Sequence, residues 1–189
     1  MKTAKIFSTI FPMFFLFLGC NKDTSVIQNI LGNKITAADK YNEVKSLANP
    51  ENDIGGLILE SIKSDDVEIN GTSDKWIYGF TSAGIAVTYY YHATYKSVAL
   101  DSISNFIKLP PTQLIIHNWI NSSDAINITE SNGGKDFINN NNNYKIQIKL
   151  EKPLGYNAPT NWYVTYYSKS DYTVKLSFVI DATTGKIKQ

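Results

Sequence analysis

The apolar positions follow three patterns along the chain, and each pattern predicts a different element. From Ile6 to Leu18 they form an uncharged run of 13 residues. From 36 to 48 they recur at helical spacing. Ala37, Tyr41, Val44 and Leu47 or Ala48 make one stripe, with Thr36 placed to cap it. Elsewhere they alternate, or run β-branched and aromatic, which predicts strands over 57–63, 75–82, 85–98, 144–150, 162–168 and 174–180. A second helix is expected from Ser122 or Ser123 to about 131, stopped by Asn132-Gly133-Gly134. Asn70-Gly71 signals a turn.

These elements recur in one order. Helix, strand, strand, strand is read twice, and Thr36 to Ser122 and Trp76 to Trp162 are both separated by 86 residues. Pro110-Pro111 marks a joint. The expected fold is α+β: two tandem units, each a helix on a three-stranded antiparallel sheet, in two layers. The units are expected over 35–109 and 122–189, joined by a linker at 110–121. Alternation also assigns the faces. Trp76, Tyr78, Phe80, Trp162, Val164 and Tyr166 point inward, as do Val87, Tyr89, Tyr91, Val174, Leu176, Phe178 and Ile180. The outward set is Ile77, Gly79, Thr88, Tyr90, His92, Tyr163, Thr165, Tyr167, Lys175, Ser177 and Val179.

The first apolar run changes the picture. Lys2 and Lys5 precede it, and it is too short to span a bilayer, which takes about 20 residues. It ends at Leu16-Phe17-Leu18-Gly19-Cys20, which resembles a bacterial lipobox. The resemblance implies cleavage after residue 19 and lipid attachment at Cys20, with several acyl chains giving a stable anchor. Residues 20–34 are then a tether. Asn21 after the cysteine resembles the enterobacterial sorting rule for the outer membrane, and Lys22-Asp23 is similar to surface-export tags of Gram-negative lipoproteins. Cys20 is the only cysteine, so no disulfide framework is available.

Without residues 1–19 the chain has 170 residues, with 16 basic and 17 acidic side chains. All the basic residues are lysine. A near-neutral chain without arginine argues against a nucleic-acid partner. The 12 tyrosines fall mostly in strand-like segments.

Few residues offer catalytic chemistry. A hydrolase triad needs a histidine, and only His92 and His117 exist. Neither has the spacing of a zinc site. Asp66 to Gly71 opens like a calcium loop, but the twelfth position is Ile77 rather than glutamate. No cofactor or metal is expected.

The C-terminal stretch resembles a PepSY-type domain. The residues that carry this are Asn161-Trp162-Tyr163-Val164 and, one strand later, Val179-Ile180-Asp181-Ala182-Thr183-Thr184-Gly185-Lys186-Ile187. Lys75-Trp76-Ile77-Tyr78 matches in the first half, where His92-Ala93-Thr94-Tyr95-Lys96 replaces the Asp-Ala-Thr-Thr-Gly-Lys pattern. Two such units in tandem are similar to the architecture of the β-lactamase-inhibitor-protein family. The resemblance implies association with a peptidase, and a folding role for the tail motif.

Three functions stay open on the sequence. The first is a non-enzymatic envelope lipoprotein that binds an exported protein or peptidase. The second is a carbohydrate- or peptidoglycan-binding module, and the third is an enzyme with an unrecognised carboxylate pair. The expected binding face is Tyr90, Tyr163 and Tyr167, with His92 and Lys175 as polar contacts.

Overall fold

A computed structural model of the chain describes residues 33–49, 56–81, 87–104, 114–116, 118–153, 157–173 and 175–188. The expected signal segment with Cys20, most of the expected tether, Pro110-Pro111, His117 and Val174 lie outside the described residues. Helix α1 is Tyr41–Ala48, followed by strands β1 (Ile58–Ser64), β2 (Trp76–Thr81), β3 (Thr88–Ala93) and β4 (Val98–Ser104). Helix α2 is Ser122–Thr129 and, after a wide turn at Glu130–Gly134, α3 is Lys135–Asn140. Strands β5 (Tyr144–Glu151), β6 (Asn161–Ser168), β7 (Lys175–Asp181) and β8 (Ile187–Lys188) complete the chain.

The expected two-layer arrangement of two helix-plus-three-strand units does not form. Among the described residues there is one continuous antiparallel sheet of eight strands, ordered β4-β3-β2-β1-β5-β6-β7-β8, with two short helical regions. Pairing of β1 with β5 overturns the expectation. Ser61 lies opposite Glu151, Ile62 opposite Leu150, Lys63 opposite Lys149 and Ser64 opposite Ile148. This closes the gap between the halves, so one apolar cluster extends from Val44 and Trp76 to Trp162 and Ile180.

Strand count changes for a local reason. The segment read as one strand over 85–98 is two strands, β3 and the start of β4. The chain reverses between Thr94 and Ser97, where the Thr94 N–H donates to the Ser97 carbonyl at 2.8 Å. No glycine, proline or asparagine marks that reversal, so the alternation continues through it. The tail motif also reverses the chain. Asp181 Oδ1 accepts the amides of Thr183 and Thr184 at 3.0 Å each, and Gly185 adopts a φ of 71°. A side chain at Gly185 would be strained there. Two residues of β8 follow.

The helices are shorter than their patterns. Turns occupy the first positions expected for α1, and Leu47 is left largely exposed while Ala37, Val44 and Ala48 are buried. The α2 cap is Asn121 rather than a serine, and it forms a capping box with Asp124. Ser122 is instead a buried link. Its hydroxyl donates to the Gly71 carbonyl at 2.7 Å and accepts the Ala37 amide at 3.0 Å. The expected stop at Asn132-Gly133 is real as a break, with Gly133 at a φ of 114°, but helix resumes at Lys135. Among the described residues no helix is long and apolar enough to cross a membrane.

Both helical regions are tied to the same sheet face. Tyr78 donates its hydroxyl to the Ala37 carbonyl at 2.7 Å, below α1. Tyr166 shares a short hydrogen bond with Thr129 of α2. Trp76, Tyr78, Phe80, Trp162, Val164 and Tyr166 are all buried there. The opposite face carries the polar alternates.

Candidate binding face

Strand register places all five expected site residues on that opposite face. Because residues paired across antiparallel strands share a face, one row can be followed across the sheet. It runs from Ala99 through His92, Ile77, Lys63, Lys149, Tyr163 and Val179 to Lys188. The next row contains Ser102, Tyr90, Gly79, Ser61, Glu151, Asn161 and Asp181. Tyr167 lies between Lys145 and Lys175, and Thr165 between Gln147 and Ser177. His92 and Tyr163 therefore share a row that crosses the β1–β5 join.

Tyr90, Tyr163 and Tyr167 are each half-buried. Tyr90 has a specific support. It pairs with Gly79, where an added Cβ would lie 2.7 Å from Ser61 Oγ and 3.2 Å from Tyr90 Cε1. The missing side chain leaves the ring room against β2. Tyr163 accepts a long hydrogen bond of 3.4 Å from the Asn161 amide. Asn161 in turn accepts from Lys188, whose ammonium also lies 3.7 Å from Asp181.

His92 is not a free contact. Its Nδ1 is 3.3 Å from Asp101 Oδ1, which also accepts from Lys75 Nζ at 2.9 Å. The Nδ1 atom itself is buried and its approach to Asp101 lacks hydrogen-bond geometry. The Lys75 hydrogen bond, helped by the charges of Lys75 and His92, holds the Asp101 carboxyl below its ordinary range. Asp101 and Lys75 are site neighbours that the sequence reading missed. Asp101 sits in an irregularity of the β3–β4 pairing, where alternation gives no face.

Lys175 is exposed at the start of β7, as the alternation implied. Lys145, Lys149 and Lys63 join it on the face. Their alternation within each strand was readable, but the juxtaposition of Lys63 and Lys149 follows only from the β1–β5 register.

A cleft of about 540 Å³ opens between α1, the start of β1 and the segment before α2, with Tyr41, Leu59, Phe80 and Trp119 in its lining. Trp119 stands edge-on to Tyr41 and to Trp162, with ring centres 5.6 and 5.9 Å apart. The calcium-like segment is a turn. Asn70 Oδ1 accepts both the amide and the hydroxyl of Thr72, and Gly71 takes a φ of 79°. Among the described residues no three metal-ligating side chains cluster.

No family model matches the chain, and no curated protein or solved structure does so.

Proposed function

We propose that this chain is a non-enzymatic lipoprotein of the cell envelope that binds an exported protein through the outer face of its sheet. The observation that carries the reading is the placement of Tyr90, Tyr163 and Tyr167 on one sheet face, opposite the face on which both helical regions pack. Tyrosine contributes large contact area at a small cost in side-chain entropy, and its hydroxyl accepts water or a partner. The lipobox-like Leu16 to Cys20 supports export and anchoring at the outer membrane. The PepSY-like residues Asn161 to Val164 and Val179 to Ile187 support a peptidase as the partner.

A photo-reactive phenylalanine analogue tests this directly. Placed at Tyr163 or Tyr167 in cells, it is expected to cross-link one exported protein, identified by mass spectrometry. The same analogue at Lys40, beside α1, serves as the control. Equal cross-linking from both positions, or none from the tyrosines, would remove the reading.

A further inference from the structure

The outer face is unevenly charged, and the register shows how. Lys63 and Lys149 are directly opposite one another on β1 and β5. Like charges in that position oppose folding. Lys149 is offset by an ion pair with Glu151, two residues along the same face. Lys63 has no such partner among the described residues. A second pair of cations flanks Tyr167, with Lys145 on one neighbouring strand and Lys175 on the other. Neither lysine makes an ion pair among the described residues. Asp65, which follows β1, forms none either.

The two cation groups are separated by a fixed length. Lys145 and Lys149 are four residues apart on β5, and Tyr163 and Tyr167 are four apart on β6. At about 3.3 Å per residue each separation is roughly 13 Å. Unpaired lysines at both ends of a tyrosine-bearing stretch are not required by the core, which lies on the other face. They are complementary to a ligand with negative charges about 13 Å apart and a body able to lie on tyrosine rings. An extended polypeptide has that repeat, because its residues i and i+4 are about 13 Å apart.

We infer that the patch formed by Lys63, Lys149, Lys145, Lys175, Tyr163 and Tyr167 receives an extended acidic segment of the protein partner, with carboxylates four residues apart. The inference rests on the outer face being the binding surface and adds the chemistry of what binds there. Charge on the patch sets the rate of encounter and the salt dependence of binding, while the tyrosines supply the contact area.

The test uses the purified protein in a nonionic detergent, with poly-L-glutamate as the probe. Poly-L-lysine and polygalacturonate are the comparators. Poly-L-glutamate is expected to bind saturably and to weaken by about tenfold between low and physiological salt. The triple variant Lys63→Gln, Lys145→Gln, Lys175→Gln is expected to lose about tenfold in affinity with an unchanged or raised thermal midpoint. Equal affinity of the triple variant would overturn the inference, and so would tighter binding of polygalacturonate, which would assign the patch to an acidic glycan. In cells, cross-linking from Tyr163 separates the two readings. If the triple variant keeps the cross-link in full, the acidic-segment inference fails while the face reading stands. If the unaltered protein gives no cross-link, the face reading fails with it.

Discussion

Trp76 and Trp162 make the same hydrogen bond at matching places in the sheet. The Trp76 indole N–H donates to the Ile35 carbonyl at 2.7 Å, and that of Trp162 donates to the Ile120 carbonyl at 2.8 Å. Each acceptor lies just before a helical region, and both indoles are fully buried. One side chain thus satisfies its only donor and fixes where the chain approaches the sheet. Truncating either ring to alanine is expected to cost about 3–5 kcal/mol, from lost packing and the cavity left behind. Urea unfolding of Trp76→Ala and Trp162→Ala checks this, and similar losses in both are expected.

Ser122 joins three segments through one buried hydroxyl. Replacing it with alanine leaves the Gly71 carbonyl and the Ala37 amide without that partner. Gly71 is tightly seated, since a Cβ there would lie 2.4 Å from the Ser123 backbone. Little relaxation is therefore available. Ser122→Ala is expected to destabilise by about 1–3 kcal/mol, measured by thermal or urea unfolding.

Asp181 makes the tail turn sensitive to acid. Burial by itself raises its carboxyl, but the amides of Thr184 and Thr183 and the Lys188 ammonium outweigh it and hold the group below its ordinary value. A depressed carboxylate stabilises the fold above the unfolded value of about 3.9, and the contribution is lost as pH falls through the lower folded value. Asp181→Asn is therefore expected to melt below the unaltered protein at pH 7. The gap between the two should close as the solution is acidified into and below that window. A pH series of melting curves measures it.

Cys20 is the proposed lipid site. Cys20→Ser is expected to lose membrane retention and incorporation of a labelled fatty-acid analogue, while the unaltered protein keeps both. Fractionation and in-gel detection of the label check the pair.

Much of this fold can be read from alternation, because a strand with one buried face writes its faces into the sequence. Trp76, Tyr78, Trp162, Val164 and Ile180 are inward as the period of two implies. Tyr90, Tyr163, Tyr167 and Lys175 share the outer face for the same reason. Alternation does not tell which strands pair. The β1–β5 join follows from long-range register, and no residue between 58 and 64 announces it. The reversal at Thr94 to Ser97 was hidden because it rests on hydroxyls, with Thr94 Oγ1 accepting the Ser97 amide, and carries no glycine, proline or asparagine; the two-residue β8 is too short for any period. Asp101 escaped because the irregular β3–β4 pairing breaks the period where its carboxylate meets His92 and Lys75.

The central claim is that the outer face binds and does not form the core. The most direct measurement compares affinity and stability in the Tyr163→Ala, Tyr167→Ala double variant, using the protein captured by cross-linking. Binding is expected to weaken by about 1–3 kcal/mol with the thermal midpoint little changed. A collapse of the thermal midpoint without a separable loss of affinity would contradict the claim and assign both tyrosines to structural packing.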